Sequence, residues 1–253
     1  MFEYRRNSLP GLCNEIKSCS TCKLHLTRTN ALCGEGKLKA HFFFIAQAPG
    51  EQEDLADKMF IGPSGKMFFE LLKPTGLKPD HIYMTNLVKC HLPKNRRPKQ
   101  LEIQKCSRFL IREIKEISPN IIVPLGYYAS KFIFEYFGFK TIPRKDFKIN
   151  FGKLFWRIYR IFPLQHPAAA LHKPDLLPIL KKNYLKLSIL KEPCKWYDSC
   201  PLRYFEVKGL IAENWQQIYC LGDWESCVRY QDTLSGRYHP DNMMPDGRID
   251  PEL

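Results

Sequence analysis

The sequence predicts an α/β fold, namely a three-layer α/β/α sandwich with a short, mainly parallel central sheet and a small Cys-rich C-terminal metal-binding module. Four apolar runs rich in β-branched and aromatic residues are typical of strands, and segments of helical periodicity alternate with them. After residue 192 the composition shifts to Cys, Trp, Tyr and Asp, and long apolar runs stop. We therefore expect two domains, over residues 1–192 and 193–253.

The four apolar runs give the expected strands. They are HFFFIAQ over residues 41–47, IYMTNLV over 82–88, NIIVPLG over 120–126 and LFWRIYRIFPLQ over 154–165. In parallel α/β sheets, ligands bind beyond the carboxyl ends of the strands. The candidate site residues therefore follow each run: Gln47 to Asp54, Asn86 to Cys90, Gly126, and Gln165 to Leu171.

Helical segments lie between the strands. The segment SGKMFFELLKPTG starts at Ser64, a residue type that caps helices, and stops at Gly76. Two further segments, KQLEIQKCSRFLIREIKEI and YYASKFIFEYFG, also predict helices, and the second ends on Gly138. A long helical stretch is expected over residues 175–192, and the final HPDNMMPDGRIDPEL is expected to be a poorly structured tail.

Charge and composition narrow the class of protein. The chain has 39 Lys and Arg against 26 Asp and Glu, a formal charge of +13, and 44% hydrophobic residues. Such a composition indicates a folded protein with a polyanionic partner. The N-terminal MFEYRRNSLPGLCNEIKSCSTCK has no apolar run of signal-peptide length, and no segment approaches the ~20 apolar residues of a membrane span. We therefore expect a cytoplasmic protein with no membrane partner.

The cysteines fall into two groups of four. In a reducing compartment the ten cysteines are better candidates for metal ligands than for disulfides. The N-terminal quartet combines a C-x2-C pair with two distant thiols, which favours an iron–sulfur cluster or zinc: Cys19, Cys22, Cys90 and Cys106. Cys106 lies on the apolar face of its helix, so a small core residue is the alternative there.

The C-terminal quartet lies in a region that is otherwise short of core. It consists of Cys194, Cys200, Cys220 and Cys227. A bound metal supplies the stability that so small a core lacks. We expect a second iron–sulfur cluster first and zinc second, and four reduced thiols without a ligand are the alternative. Cys13 and Cys33 receive no role.

Several motifs stand in a recognisable order. They are CSTCKLHLTRTNALCGEGKLKAHFFFIAQAPGEQEDL, MFIGPSGKMFFELL, IYMTNLVKCHLPKNRRP and HPAAAL, collinear over residues 13 to about 187. They resemble the motifs of the family 4 uracil-DNA glycosylases, which carry an iron–sulfur cluster. The resemblance implies a structural four-iron four-sulfur cluster on the N-terminal quartet. It also implies hydrolysis of the N-glycosidic bond of a flipped-out deoxyuridine, which leaves an abasic site for base-excision repair.

The resemblance assigns roles to residues at the strand ends. Asn86 matches the residue that reads uracil, since its amide offers a donor and an acceptor for O4 and N3–H. Phe60 matches the aromatic residue that stacks on the base. His166 matches the catalytic His, whose hydrogen bond to O2 strengthens as negative charge develops on the leaving base. The pocket is lined by the backbone of Gln47, Ala48, Pro49 and Gly50, and the acidic residues that follow are expected to fix the turn.

Position 47 departs from the family pattern Gly-Glu-Ala-Pro-Gly. The chain has Gln47 in place of the Glu, and Ala48 where the related family 1 enzymes carry an Asp that orients water. Gln47 can position water through its amide oxygen, but it cannot accept a proton as a general base. We therefore expect a working glycosylase that is slower or differently selective, with Gln47 among its catalytic residues.

The expected partner is DNA that contains uracil. An apolar wedge at Leu171, or at Ala170 beside it, fills the space left by the flipped base. Phosphate contacts are expected from the KNRRPK segment, through Lys94, Arg96 and Arg97. We expect a monomer, repair proteins as further partners, and no strand cleavage, because no matched motif contains a nucleophilic Lys.

Two alternatives remain open at this point. One is a damaged-DNA-binding protein that kept the glycosylase scaffold and lost turnover with the change to Gln47. The other is a glycosylase for another deaminated base, such as hypoxanthine or xanthine. Asn86 favours uracil, and the binding protein has no need of Asn86, Phe60 and His166 together.

Overall fold

The computed structural model describes residues 9–190, 194–197, 199–212, 215–221 and 224–253. The chain forms two compact units, Met1–Leu185 and Lys186–Leu253. The first unit contains the sheet and the N-terminal quartet. The second unit contains the C-terminal quartet. Residue 192, where the composition predicts a domain boundary, lies outside the described residues.

A six-stranded mixed sheet forms the centre of the first unit. Its strands are β1 (Glu35–Gly36), β2 (Phe42–Ala46), β3 (Ile82–Asn86), β4 (Ile121–Pro124), β5 (Phe155–Trp156) and β6 (Arg160–Ile161). The order across the sheet is β1-β3-β2-β4-β6-β5. The inner pairs β3–β2, β2–β4 and β4–β6 are parallel, whereas the outer strands β1 and β5 are antiparallel to their neighbours. The mainly parallel α/β sheet is confirmed.

The last predicted strand, over residues 154–165, is wrong as a single strand. Its apolar run folds back on itself and forms the antiparallel pair β5 and β6. A turn separates the two, in which the N–H of Arg157 donates to the carbonyl of Tyr159 at 3.2 Å. Ile158 stands at this turn with 83% of its surface exposed. Because the residue at the turn is apolar, the hydrophobic pattern of the sequence does not show that the strand is interrupted there.

Helices surround the sheet and fill the connections. In the first unit they are α1 (Pro10–Lys17), α2 (Glu51–Ala56), α3 (Pro63–Leu72), α4 (Gln100–Ile117), α5 (Tyr127–Tyr136), α6 (Ala168–His172) and α7 (Leu177–Leu185). Helix α3 begins one residue before the predicted Ser64, with Gly62 as its N-cap. The predicted stretch 175–192 is shorter, because α7 ends at Leu185. Within the described residues, no helix has the length and apolarity needed to cross a bilayer.

The two faces of β2 pack against different helices. Phe43 and Ile45 belong to the core cluster that also contains the buried residues of α1, α4 and α5. Phe44 packs on the other side against Phe68 of α3, with ring centroids 5.1 Å apart, and Phe68 meets Tyr184 of α7 at 6.4 Å. Alternate residues of one buried strand therefore face two helical layers. This arrangement confirms the predicted α/β/α sandwich.

A buried ion pair joins the segment that follows β3 to α4. The Lys89 ammonium lies 2.5 Å from the Glu113 carboxylate, and both side chains are 1% exposed. The same carboxylate accepts the hydroxyl of Thr85 at 2.9 Å and the N–H of Gly34 at 3.1 Å. Glu113 therefore satisfies three donors from two segments, which makes it the centre of a buried polar network.

The second unit is built from short helices. These are α8 (Pro201–Val207), a π-helical turn (Gln216–Cys220) and α9 (Val228–Leu234). Its last residues are ordered around Arg229, whose Nη1 donates to the carbonyls of Pro240, Asp241 and Met243 at 2.8–2.9 Å. Met244 is buried as well. The expectation of a poorly structured tail is therefore wrong for this segment, because a buried guanidinium binds its backbone.

A disulfide joins Cys13 of α1 to Cys33, closing a loop with a sequence separation of 20. The expectation that the cysteines serve as ligands rather than disulfides is wrong for this pair. The enclosed loop carries Cys19 and Cys22, two members of the N-terminal quartet. The disulfide therefore restrains the loop that presents half of that quartet.

Removing this disulfide is expected to lower the free energy of unfolding. A loop of this length predicts a loss of about 3 kcal/mol for the double variant Cys13→Ser/Cys33→Ser, since the crosslink restricts the unfolded chain. Denaturant titration under anaerobic conditions measures the loss. Wild-type protein treated with a phosphine reductant is the control and should match the variant. Equal stability of the oxidised wild type and the variant contradicts the prediction.

Candidate active site and metal centre

A cavity of about 660 Å³ opens at the carboxyl ends of β2 and β3. Residues that follow these strands line it, together with the segment that leads into α6. Every residue predicted to contact the base belongs to this lining: Gln47, Ala48, Pro49, Gly50, Phe60, Asn86 and His166. The structure therefore brings residues from distant parts of the sequence to one concave site.

Backbone pairing continues past the ends of β2 and β3. Ala46 stands opposite Asn86 in the parallel register. The N–H of Leu87 donates to the carbonyl of Ala46 at 2.8 Å, and the N–H of Val88 donates to the carbonyl of Gln47 at 3.0 Å. Gln47 and Asn86 therefore enter the cavity from a rigid part of the sheet, as a preorganised site requires.

Asn86 is buried in the cavity wall. Its Nδ2 donates to Met59 Sδ at 3.2 Å. An amide nitrogen carries two hydrogens, so a second N–H and the Oδ1 acceptor can serve a ligand. A donor beside an acceptor is complementary to the O4 and N3–H edge of uracil.

His166 lies in the cavity as a neutral hydrogen-bond donor. Its Nδ1 accepts the N–H of Ala168 at 3.2 Å, and a neutral imidazole that accepts at Nδ1 carries its hydrogen on Nε2. Burial lowers the pKa of His166 to about 4, so the ring is uncharged near neutral pH. Gly126 makes room for it, because a Cβ there would stand 3.1 Å from the His166 Cβ.

Phe60 has a left-handed backbone, with φ of 55°, which a bulky residue rarely adopts. Its ring packs against Phe68 of α3, with centroids 4.6 Å apart. Gly65 lies directly against its backbone, since a Cβ built on Gly65 would stand 1.9 Å from the Phe60 carbonyl oxygen. Close packing on a glycine therefore holds Phe60 in an unfavourable conformation at the cavity wall.

The Gly65→Ala variant is expected to displace Phe60. The added methyl group overlaps the Phe60 carbonyl, so the loop must move, and overpacking of this kind costs about 1–3 kcal/mol. We expect a lower melting temperature and a raised KM for uracil-containing DNA. Gly11→Ala is the matched control, because no atom beyond its chain neighbours and the backbone of its own helix lies within 4 Å of the position that its Cβ would take. The prediction fails if both variants behave alike.

Two further side chains hold the loops of the cavity. The Glu53 carboxylate accepts the N–H of Gly50 at 2.8 Å and further N–H groups of residues 60–62. Burial raises the pKa of Glu53, and these donors oppose the rise by favouring the carboxylate. His91 Nδ1 donates to the carbonyl of Pro49 at 3.0 Å. Sequence reasoning expected Glu53 to fix the turn and missed His91, whose partner is a backbone group without a sequence signal.

The predicted wedge residues differ in exposure. Leu171 lines the cavity and is 43% exposed. Ala170 is buried, which does not fit a contact with DNA. Leu171 is therefore the member of the pair that a duplex can reach.

The predicted phosphate contacts also differ. Lys94 and Arg97 are exposed. Arg96 forms a salt bridge with Glu102 at 2.5 Å and so stabilises the start of α4. Arg144, from a second basic cluster, lines the cavity itself. Lys94 and Arg97 are therefore open to solvent, whereas Arg96 is engaged by Glu102.

The structure gathers the N-terminal quartet beside the core. Two members, Cys90 and Cys106, are buried, and the other two are partly exposed. Arg28 Nη1 donates to Cys90 Sγ at 3.1 Å, and the N–H of Lys89 donates to Cys106 Sγ at 3.2 Å. Burial raises the pKa of Cys106 to about 12, and the nearby thiolates of Cys90 and Cys19 contribute to the rise. Thiols that receive cationic and N–H donors fit an anionic, thiolate-bound cluster.

The C-terminal quartet lines a separate cavity of about 180 Å³ in the second unit. The N–H of Cys194 donates to the carbonyl of Cys220 at 2.6 Å, which brings two distant segments together. In neither quartet, nor elsewhere in the described part of the chain, do three His, Cys, Asp or Glu side chains approach closely enough to hold a single metal ion.

Comparison with known proteins agrees with this geometry. The sequence profile of the Uracil DNA glycosylase superfamily matches residues 33–190. The chain is 38% identical over 185 residues to the type-4 uracil-DNA glycosylase of Archaeoglobus fulgidus, covering 72% of this chain and 93% of that protein. It is 41% identical over 194 residues to the type-4 uracil-DNA glycosylase of Sulfurisphaera tokodaii, covering 76% of this chain and 88% of that protein. The chain therefore belongs to the uracil-DNA glycosylase superfamily and, within it, to the type-4 family.

Proposed function

We propose that the protein is a monofunctional uracil-DNA glycosylase, which hydrolyses the N-glycosidic bond of a flipped-out deoxyuridine and leaves an abasic site. The neutral Nε2–H donor of His166, in the same cavity as the uracil-complementary amide of Asn86, carries this proposal. In this proposal Asn86 recognises the base, and His166 stabilises the base as it leaves. The names of the type-4 relatives support the same activity.

The residues of the cavity divide the reaction between them. Phe60 stacks on the flipped base, and Asn86 binds its O4 and N3–H. As the bond from C1′ to the base breaks, the electron pair stays on the base and negative charge gathers at O2. The His166 Nε2–H donates to that oxygen, and a donor of this kind is stronger in the transition state than in the ground state. Water then adds its oxygen to C1′, and its proton is released.

Gln47 orients the attacking water in this proposal. Its amide oxygen can accept a hydrogen bond from water but cannot take the proton. General-base assistance contributes typically 100-fold to 10,000-fold, so a reaction driven mainly by departure of the base proceeds without it. The Glu53 carboxylate lines the cavity but is held by backbone N–H groups, which suits it to positioning rather than to proton transfer.

The N-terminal quartet binds a four-iron four-sulfur cluster in this proposal. The buried sulfurs of Cys90 and Cys106, with their Arg28 and Lys89 donors, support this assignment. When bound, such a cluster would crosslink the segments that carry these four cysteines, and no step of the hydrolysis would pass through it. The C-terminal quartet is a second thiolate site. The protein acts in the cytoplasm as a monomer, with uracil-containing DNA as its partner and repair proteins downstream.

Uracil release from a labelled oligonucleotide tests the proposal. Anaerobically purified wild type and Gln47→Glu are compared on single strands and duplexes that contain uracil, hypoxanthine or xanthine. We expect the wild type to release uracil and Gln47→Glu to be at least as fast. No uracil release from either DNA form by cluster-loaded wild type contradicts the proposal.

The same experiment tests two competing functions, which the change at position 47 suggests. A damaged-DNA-binding protein binds uracil-containing DNA tightly and leaves it intact after long incubation. If Gln47→Glu alone restores release, the wild type is such a binding protein. Release of hypoxanthine or xanthine in preference to uracil identifies a glycosylase for another deaminated base.

A further inference from the structure

The four cysteines of the C-terminal quartet line one cavity of the second unit. This cavity of about 180 Å³ is lined by all four sulfur-bearing residues, Cys194, Cys200, Cys220 and Cys227. In a tetrahedral zinc site with bonds of about 2.3 Å, the sulfurs lie only about 3.8 Å apart. No three ligating side chains among the described residues are close enough for such an ion.

The N-terminal quartet gives an internal comparison. It too contains no group of three side chains close enough for a single ion, although its buried thiols fit a four-iron four-sulfur cluster. The two quartets therefore share an open arrangement of thiols. We propose that the C-terminal quartet binds a second iron–sulfur cluster rather than zinc. This inference rests on the proposal that the quartet is a metal site, and it does not depend on glycosylase activity.

The walls of the C-terminal cavity suit an anionic, water-sensitive group. Trp196 and Trp224 line it and pack on Tyr230, with ring centroids 5.2 and 4.8 Å away. Such a shell limits the access of solvent to a metal group. Lys195 lies over the Trp196 ring at 4.1 Å, which adds a cation beside the cavity. The aromatic wall and the cation suit an anionic cluster held by four thiolates.

The side chain of Arg229 gives a separate indication that an anionic group binds in this cavity. It lines the cavity and is 4% exposed. Its Nη1 is saturated by backbone carbonyls, but its Nε is buried and meets no acceptor in the described residues. An unpaired charged donor in this position is costly. The sulfide and thiolate sulfurs of a cluster are acceptors for such a donor.

Two other polar residues that could supply metal ligands line the cavity, His239 and Asp241. His239 Nε2 shares a hydrogen bond of 2.9 Å with the hydroxyl of Thr233. Asp241 lies on the chain segment whose carbonyls bind Arg229. Neither side chain joins the cysteines in a group close enough to hold one ion. The four thiols, all of which line this cavity, are therefore the ligand set of the proposal.

Metal analysis of the intact chain tests the inference. The protein is purified under nitrogen, and iron, acid-labile sulfide and zinc are measured per chain. The variants are Cys220→Ala for the C-terminal site and Cys106→Ala for the N-terminal site. Cys13→Ser/Cys33→Ser is the matched control, since it removes two cysteines outside both quartets. With two four-iron clusters, the wild type and the control contain about eight irons, and each single-site variant contains about four.

Two results overturn the inference. About four irons with one zinc, where Cys220→Ala loses only the zinc, identifies a single-ion site. About four irons and no zinc in the wild type shows that the cavity binds no metal. If Cys220→Ala fails to fold, the number of iron atoms per wild-type chain is sufficient to decide between one cluster and two. A wild type with about eight irons that releases no base overturns the glycosylase proposal and leaves the second cluster standing.

Discussion

His166→Ala is expected to slow uracil release by at least ~100-fold, the typical loss when one preorganised donor is removed from a developing oxyanion. The effect should fall on kcat, because the Nε2–H bond to O2 matters most once the glycosidic bond is breaking. Single-turnover kinetics with excess enzyme measures the chemical step. The matched control is His172→Ala, which removes another His from the cavity lining at the end of α6. It should raise KM and leave kcat nearly unchanged.

The pH dependence supplies a second readout of the same residue. Because burial lowers the pKa of His166 to about 4, the donor stays neutral from pH 8 down to about pH 5. We expect kcat to be flat across that range and to change only as the pH falls toward 4. A transition near the ordinary His pKa of about 6.5 that disappears in His166→Ala shows that the ring titrates while the enzyme works, against this account.

Glu113→Ala is expected to cause the largest loss of stability. The substitution leaves the Lys89 ammonium buried without its counter-charge and removes the acceptor for Thr85 and Gly34. Breaking one partner out of a buried pair costs about 3–5 kcal/mol, because the remaining charge stays desolvated. Anaerobic denaturant titration of wild type and variant measures the difference in free energy of unfolding.

A double variant separates charge from packing in that result. Lys89→Met/Glu113→Leu replaces both charges with apolar side chains of similar size, and replacements of this kind are often neutral or stabilising. We expect it to recover most of the stability lost in Glu113→Ala. Glu15→Ala is the exposed control, since its partner Arg112 is solvated, and its unfolding midpoint should match wild type. A double variant as unstable as Glu113→Ala shows that packing, not the unpaired charge, dominates.

The parts of the fold that sequence reasoning predicted are those with a strong local pattern. Strands β2, β3 and β4 come from continuous apolar runs, and α4 from a long amphipathic period. The hairpin of β5 and β6 was missed because Ile158 continues the apolar run through an exposed turn. The disulfide between Cys13 and Cys33 was missed because pairing depends on the folded distance between thiols, which sequence spacing does not contain.

The residues of the candidate site likewise divide into those that sequence reasoning predicted and those that it missed. The strand-end rule and the family motifs predict that Asn86 and His166 share one site, and both line the cavity. His91 was missed, and the extent of the Glu53 network was underestimated, because both side chains bind backbone groups of other loops. Any residue type offers such backbone groups. The left-handed conformation of Phe60 was equally hidden, since it follows from the contact with Gly65.

The end of β3 places two functions on one short segment. Asn86 stands in the base cavity, and four residues later Cys90 belongs to the N-terminal quartet, while the N–H of Lys89 between them reaches Cys106. A metal group bound by the N-terminal quartet and a base bound by Asn86 would therefore both be positioned by the backbone of this segment. Thermodynamic linkage is reciprocal: if loss of iron weakens the hold on uracil by some factor, bound uracil must tighten the hold on iron by that same factor. Damaged DNA would then protect the enzyme that repairs it from losing its metal.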